Sequence, residues 1–211
     1  RAVDGRERYL KILFDLQNEG MGQKMKQEFI GQVLNSQNPQ FLDFHGKEWF
    51  AEVTAKFMFK GKEENAVLYM RLEPDNKGHK WAIDQVYFQP FAQMFSVGTG
   101  SDRKFMHPLS HELDFMNLNK VFQQTDDLED YTSSDFRPDY LSLFLYECKK
   151  GNITFQTVTD LKFHFFQIKD WYFEVSKFNR SGKNRGWLIS GLTHAPEAQK
   201  TLLKRYILRM D

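Results

Sequence analysis

Residues 81–86 read Trp-Ala-Ile-Asp-Gln-Val, and residues 187–192 return to this pattern as Trp-Leu-Ile-Ser-Gly-Leu. The two stretches lie 106 positions apart, and the same offset aligns Phe57 with Phe163 and Phe59 with Phe165. Self-similarity at a fixed period changes the number of domains to be expected. Since twice this offset is about the length of the chain, the sequence predicts two similar halves, 1–92 and 105–211, joined by a linker at 93–104.

Each half is predicted to contain helices followed by three strands. In the first half, apolar residues at three- and four-residue spacing indicate helices over about 4–17 and 23–34. Alternating apolar residues from Trp49 to Phe59 are typical of a half-buried strand, and short polar turns lead into strands at 66–73 and 80–88. No crossover of a dozen residues separates these strands, so they are expected to be antiparallel.

The second half repeats this order of elements. Helices are predicted over about 110–124 and 138–150, strands over 153–168, 171–178 and 187–192, and a closing helix over 197–210. The alternation of the long strand slips near Val158–Asp160, which predicts a β-bulge. Because helices precede the strands in both halves, the predicted class is α+β, with an antiparallel β-meander in each half.

The composition excludes several kinds of protein. The 211 residues carry 29 basic and 28 acidic side chains, so no overall field attracts nucleic acid, and we expect no nucleic-acid partner. No apolar run is long enough to cross a membrane. Cys148 is the one cysteine, which leaves the fold to rest on packing without an internal disulfide. The chain opens on Arg1 without a Met, which suggests a mature or trimmed chain.

The late strands carry a resemblance to a known family. A turn followed by Gly78-His-Lys-Trp-Ala-Ile-Asp-Gln-Val86, and again by Gly186-Trp-Leu-Ile-Ser-Gly-Leu192, resembles the nuclear transport factor 2-like superfamily, also called cystatin-like, in tandem. The resemblance implies a curled antiparallel sheet in each half and a scaffold used for ligand binding, protein association and a few enzymes. Many bacterial relatives look like exported proteins, which implies a periplasmic, cell-surface or secreted location.

Two short motifs have some features of a metal site or of a nucleotide site. His107 and His111 have the spacing of zinc ligands on a helix, but Glu112 follows the second histidine and Pro108 interrupts the motif. We therefore expect a helix start capped by Ser110, and no metal. The loop from Gly98 to Lys104 lacks the Gly-Lys-Ser/Thr ending of a phosphate-binding loop and is interpreted as linker. No cofactor is expected.

An enzyme of the ketosteroid isomerase type is one alternative, because the resemblance includes that enzyme. It requires a carboxylate in an apolar cavity, and Asp84 has apolar neighbours two positions away on its strand. Burial there would raise the pKa of Asp84. The competing interpretation pairs Asp84 with Lys80 or Lys56, and on balance the sequence favours a protein without catalytic residues.

Aromatic residues on the strands are the other candidates for a site. The residues predicted to bind a ligand are Trp49, Tyr69, Asp84, Trp171 and Tyr172. A core role is the favoured interpretation of the strand tryptophans and tyrosines, most strongly for the repeated Trp81 and Trp187. The sequence thus predicts a non-enzymatic binding protein whose ligand is a small molecule, a glycan or a protein, with a homodimer left open. A third alternative is an assembly component that docks a partner through an exposed sheet face around Phe50 and Met58.

Overall fold

The computed structural model describes residues 2–95, 104–123, 125–126 and 128–210. Within these ranges the chain forms an α+β fold, as predicted, with six α-helices and six strands. The helices are α1 (Ala2–Ile12), α2 (Gln23–Val33), α3 (Gln89–Met94), α4 (Leu118–Gln123), α5 (Tyr140–Lys149) and α6 (Glu197–Ile207). The strands are β1 (Trp49–Phe59), β2 (Lys62–Asp75), β3 (Gly78–Phe88), β4 (Ile153–Phe165), β5 (Trp171–Phe178) and β6 (Gly186–His194).

All six strands belong to one open antiparallel sheet. Their order is β3-β2-β1-β4-β5-β6, so the meanders β1–β3 and β4–β6 lie side by side and meet at the β1–β4 pair. In that pair Trp49 lies opposite Phe165 and Phe59 lies opposite Ile153. The two predicted halves therefore share a continuous sheet, whose strand order is the same when read outward from either side of the central pair.

The predicted β-bulge is confirmed in β4. Thr54 lies opposite Asp160, but the next residue of β1, Ala55, lies opposite Val158, so Thr159 has no opposite residue. Thr159 donates a hydrogen bond from its Oγ1 to the carbonyl oxygen of Thr54 at 3.2 Å. A second shift of register follows between Lys56 and Phe57. An extra residue bends a strand locally, so β4 bends near its middle.

Helices α2 and α5 cover the same face of the sheet at opposite ends. Alternate side chains of a strand share a face, so Trp49 and Phe57 point to the same side of β1. Near Trp49, Phe29 of α2 packs with Trp171 of β5. Near Phe57, Phe144 of α5 packs in a second cluster with residues of β1 and β3. Helix α2 thus packs on strands of the second meander, and α5 packs on strands of the first meander and on β4.

The opposite face is covered by the C-terminal helix. Leu208, directly after α6, packs with Phe50 and Tyr69, and the Tyr69 hydroxyl donates to the carbonyl oxygen of Ile207 at 2.7 Å. Lys200 of α6 donates from its Nζ to the carbonyl oxygens of residues 166 and 168 at 2.7 and 2.8 Å. The alternative of an exposed sheet face is wrong at Phe50, because α6 and the residues after it bury this side chain, whereas Met58 at the other end of β1 is half-buried.

The region between the two meanders differs from the prediction in several details. Helix α3 was not predicted and extends into the proposed linker, of which residues 96–103 lie outside the described residues. The single helix predicted over 110–124 is instead a 3-10 turn at Pro108–Leu113 followed by α4. Asp114 and Phe115 separate them with φ values of 50° and 53°, which a right-handed helix does not allow.

The ends of α5 are fixed by local hydrogen bonds. The helix begins two residues after the predicted start at 138, and Asp139 caps its N-terminus by accepting from the backbone N–H groups of Leu141 and Ser142, both at 3.1 Å. Gly151, with a φ of 78°, follows its C-terminus and turns the chain into β4. This turn brings Phe144 over the strands that its ring contacts.

The repeated tryptophans are only half-buried, which corrects the prediction that they are core residues. Trp81 is 43% exposed and Trp187 is 41% exposed, whereas Trp49 and Trp171 are buried. The reason is topological, because Trp81 and Trp187 lie on β3 and β6, the two edge strands of the sheet. Their rings pack against aromatic residues of the central strands β1 and β4. The ring centroids of Trp81 and Trp49 are 5.4 Å apart, and those of Trp187 and Phe163 are 5.3 Å apart.

Among the helices of the described ranges, none combines the length and the apolar character needed to cross a bilayer.

Candidate functional site

A large apolar pocket lies between the N-terminal helices and the strands of the second half. Its volume is about 670 Å³. Helices α1 and α2 and the segment 40–44 form one wall, and β4, β5 and β6 form the other. The side chains that define it best are Leu10, Phe29, Phe41, Phe163, Val175 and Trp187. We call it the apolar pocket.

The sheet wall follows directly from strand alternation. Phe163 and Phe165 are two positions apart on β4, so both point to the face that α2 covers. On β5 they lie opposite Val175 and Phe173, which therefore continue the same wall. Trp187 of β6 extends this wall at its open side, where its ring is 5.3 Å from Phe163. The half-exposed position of Trp187 thus places it at the edge of a pocket rather than in the core.

Segment 40–44 is held in place by two glutamines. The side-chain oxygen of Gln40 accepts from the backbone N–H of Lys169 at 2.9 Å. Gln167 both accepts from the N–H of Asp43 at 2.9 Å and donates to its carbonyl oxygen at 2.6 Å. These bonds fasten the segment to the turn between β4 and β5, so Phe41 and Leu42 are presented to the pocket by a fixed backbone.

Arg6 is the one charged side chain among the described residues that line the apolar pocket. Its guanidinium donates to the carbonyl oxygen of Gln40 and lies over the ring of Phe41, with Cζ 4.2 Å from the ring centroid. Within the part of the chain that the structure describes, Arg6 forms no ion pair. A guanidinium carries five N–H donors, so donors remain after this bond is made.

The other face of the sheet holds a smaller, polar pocket of about 420 Å³. Ionisable and tyrosine side chains dominate its lining: Glu52, Lys162, His164, Tyr172, Glu174 and Arg209. We call it the polar pocket. His164 lies at the base of this pocket and is only 2% exposed. Its Nε2 is 3.1 Å from the Glu52 carboxylate, and its Nδ1 is 2.8 Å from the Tyr172 hydroxyl.

Glu52 and Tyr172 hold the two ring nitrogens of His164. The bond from His164 holds the pKa of Glu52 below its usual range, against the opposing effect of burial, so Glu52 is a carboxylate. A carboxylate only accepts, so Nε2 of His164 carries a hydrogen and donates to Glu52, while Nδ1 shares a hydrogen bond with the Tyr172 hydroxyl. Burial and the neighbouring Glu174 raise the pKa of Tyr172, which keeps its hydroxyl protonated. The buried imidazole therefore has both nitrogens satisfied within the protein.

Glu174 occupies its position because its neighbour is a glycine. A Cβ at position 191 would lie 2.8 Å from an oxygen and 2.9 Å from the Cγ of Glu174. Gly191 lies directly opposite Glu174 on β6. Any larger residue at 191 would therefore push this carboxylate away from Tyr172, whose hydroxyl is 3.4 Å from it.

The stability of the protein should depend on Glu52 at acidic pH. Because the folded-state pKa of Glu52 is lowered, its carboxylate stabilises the fold above the unfolded-chain value of about 4.3, and this contribution is lost as the pH falls through the folded value. We expect the difference in free energy of unfolding between wild type and Glu52→Gln to shrink between about pH 5 and pH 3. Urea unfolding at several pH values measures it, and a constant difference would contradict the prediction.

The residues predicted from the sequence to bind a ligand lie in three places. Trp49 and Trp171 belong to the core cluster beside the apolar pocket, where Trp171 donates from Nε1 to the side-chain oxygen of Gln32 at 2.8 Å. Tyr69 and Tyr172 both line the polar pocket. Asp84 lines neither pocket: its carboxylate is ion-paired with Arg71 rather than with Lys80 or Lys56.

Sequence reasoning missed Arg6 and the segment 40–44. The segment has no helical or strand period, and Arg6 lies on a helix whose sequence has several charged positions. The signal that was present is the cluster Phe41, Leu42 and Phe44 directly after Pro39, because apolar residues concentrated in an irregular segment must pack against something. The cluster Glu52–His164 was missed because its members are paired across β1 and β4, 112 positions apart.

The candidate metal motif is a local cap, formed by His107 and not by Ser110 as predicted. His107 accepts from the backbone N–H of Leu109 at Nδ1 at 3.2 Å, and Ser110 donates to the carbonyl oxygen of His107 at 2.7 Å. Across the described ranges, no group of three or more His, Cys, Asp or Glu residues is arranged to hold a metal ion. Burial raises the pKa of the Cys148 thiol, so this side chain is a poor nucleophile.

Comparison of the chain with models of protein families, with curated proteins and with solved structures returned no match.

Proposed function

We propose that this protein binds an apolar small molecule in the apolar pocket and does not transform it. The observation that carries the proposal is the pocket itself: about 670 Å³ of space lined by aromatic and aliphatic side chains. Ligand sites in proteins have this size and are mostly apolar, with a few polar groups that fix orientation. The sequence interpretation of a non-enzymatic binding protein, exported or surface-associated, is part of this proposal.

The energetics of the pocket support an apolar occupant. Apolar walls facing empty space or water forgo the dispersion contacts that a packed core makes. A ligand with apolar surface recovers these contacts and removes its own surface from water, at roughly 25 cal/mol for each Å² buried. Since such a ligand binds the folded chain and not the unfolded one, it should also raise the melting temperature.

The test uses a neutral dye and a substitution that fills the pocket. N-phenylnaphthylamine fluoresces when it enters an apolar site, and we expect it to bind the wild-type protein at a single saturable site. Val175 lines the sheet wall, so Val175→Trp should place an indole in the pocket and weaken dye binding about tenfold or more. A fluorescence titration of both proteins measures the effect.

Val158→Trp is the matched control. Val158 is 50% exposed on β4 and does not line the pocket, so this variant should bind the dye as the wild type does. Equal binding by wild type and Val175→Trp would place the dye elsewhere, and no saturable binding to the wild type would refute the proposed function.

We also propose that the two halves arose by duplication of a nuclear transport factor 2-like unit. Three observations support this: the repeated pattern at 81–86 and 187–192, the symmetric strand order about the β1–β4 pair, and a helix directly after each meander. In addition, α2 of the first half packs on strands of the second half, and α5 of the second half packs on strands of the first. Such an arrangement is expected when two copies of a symmetric dimer become joined in one chain.

A further inference from the structure

We infer that the ligand of the apolar pocket is an amphiphile with an anionic head group, a carboxylate on an aliphatic chain, and that Arg6 holds its head. This inference rests on the proposed function, and it adds the class of ligand and the residue that selects it. Two features of the rim carry it: the position of a single cation at an otherwise apolar pocket, and the partners that this cation already has.

The first feature is the charge distribution of the lining. Seventeen described residues line the pocket, and Arg6 is the one ionisable side chain among them. Gln40 is the only other polar side chain in this set, and its oxygen is already bonded to the backbone of Lys169. A ligand with a cationic head would meet Arg6 with the same sign of charge, and a wholly apolar ligand would leave the guanidinium without a new partner.

The second feature is the geometry around Arg6. One donor bonds the carbonyl oxygen of Gln40, and the plane rests on Phe41, 4.2 Å from its centroid. These contacts fix the guanidinium at the rim without neutralising it, because neither partner carries a negative charge. Glu7, the next residue, pairs instead with Lys11 at 2.6 Å. A carboxylate could therefore accept from the remaining N–H donors of Arg6 in the two-point geometry that guanidinium groups favour.

The position of the rim explains why the chain of the ligand would point inward. Leu10 and Leu13 follow Arg6 along the N-terminal segment and also line the pocket, as do Phe29 and Val33 of α2. An aliphatic chain attached to a head group at Arg6 would lie against these side chains and the sheet wall. The head would remain in the half-buried rim, where a charged hydrogen bond is worth more than at a fully exposed site.

The experiment compares ligands that differ only in their head group. Dodecanoate, dodecanol and dodecylamine are used to displace N-phenylnaphthylamine from wild type, Arg6→Gln, Arg6→Lys and Arg8→Gln. Each ligand is kept below its micelle-forming concentration or, for dodecanol, below its solubility limit. We expect the wild type to bind dodecanoate about tenfold or more tighter than dodecanol, and dodecylamine more weakly than either. Arg6→Gln should abolish the preference for dodecanoate over dodecanol, and Arg6→Lys should keep part of it.

Arg8→Gln is the control, since Arg8 is exposed on the same helix and does not line the pocket; it should keep the full preference. Dye affinity in Arg6→Gln reports whether the pocket remains intact, and the ligand order in the wild type stands without any variant. Equal binding of dodecanoate and dodecanol by the wild type, or an unchanged preference in an intact Arg6→Gln protein, would overturn the inference and leave the proposed function standing. Failure of the dye itself to bind would refute the proposed function.

Discussion

Replacing Trp171 with alanine is expected to lower the free energy of unfolding by about 3–5 kcal/mol. Trp171 is 2% exposed, its ring lies 5.5 Å from that of Phe29, and its Nε1 donates to Gln32. The substitution removes the packing between β5 and α2 and also leaves the amide of Gln32 without this partner. Equilibrium unfolding in urea, followed by far-ultraviolet circular dichroism, measures the loss.

Trp187→Ala is the matched control for this measurement. It deletes the same side chain from the neighbouring strand, but Trp187 is already 41% exposed, so the loss should be clearly smaller, about 2 kcal/mol. The comparison separates burial from residue type, because both substitutions remove an indole. Similar losses for the two variants would mean that the outer tryptophan is packed as firmly as the inner one.

Phe144→Ala is expected to have an effect of similar size at the other end of the sheet, again about 3–5 kcal/mol. Phe144 of α5 is 4% exposed, and its ring meets those of Phe57 and Phe88 edge to face at 5.1 and 5.5 Å. Those partners lie on β1 and β3, so the measurement reports how firmly a helix of the second half is attached to the strands of the first.

A second substitution on α5 provides the comparison. Tyr146 lies two residues further along and is 55% exposed, so Tyr146→Ala should cost less than about 1 kcal/mol. If both substitutions lowered the free energy of unfolding by equally small amounts, α5 would contribute little to the core. The packing of α5 on the first meander would then not stabilise the fold.

The sequence predicted the local elements well, because they depend on period and turn chemistry. The alternation in Trp49–Phe59 recurs as β1, and the slip near Val158–Asp160 is the observed bulge. The prediction of a single helix over 110–124 was wrong for a local reason as well. The backbone at Asp114 and Phe115 is left-handed, and the sequence pattern does not reveal this conformation. Strands and bulges that depend on the pattern of a few residues were therefore predicted correctly, whereas a local break in such a pattern was not.

What the sequence did not predict is the pairing of elements that lie far apart. The repeat of Trp81 and Trp187 suggested equivalent core positions, but their exposure is set by the strand order, which puts both on edge strands. The apolar pocket depends on α2 standing over the second meander, a contact that no local pattern encodes. The sequence therefore predicted only part of the candidate site, namely aromatic residues on strands. It did not predict Arg6 at the rim, because the rim forms only when the N-terminal helices pack on the second meander.

The central β1–β4 ladder constrains how fast and in what order the molecule can assemble. Trp49 pairs with Phe165, so the middle of the sheet forms only after a loop of about a hundred residues has closed. The hairpins β1–β2 and β5–β6 close over short turns and are expected to form earlier. During synthesis, the first meander emerges before α5 exists to cover Phe57, and its apolar face stays open for that interval. A chain built this way pairs residues that lie far apart in sequence, so we expect the docking of its two meanders to be slower than the closure of its hairpins.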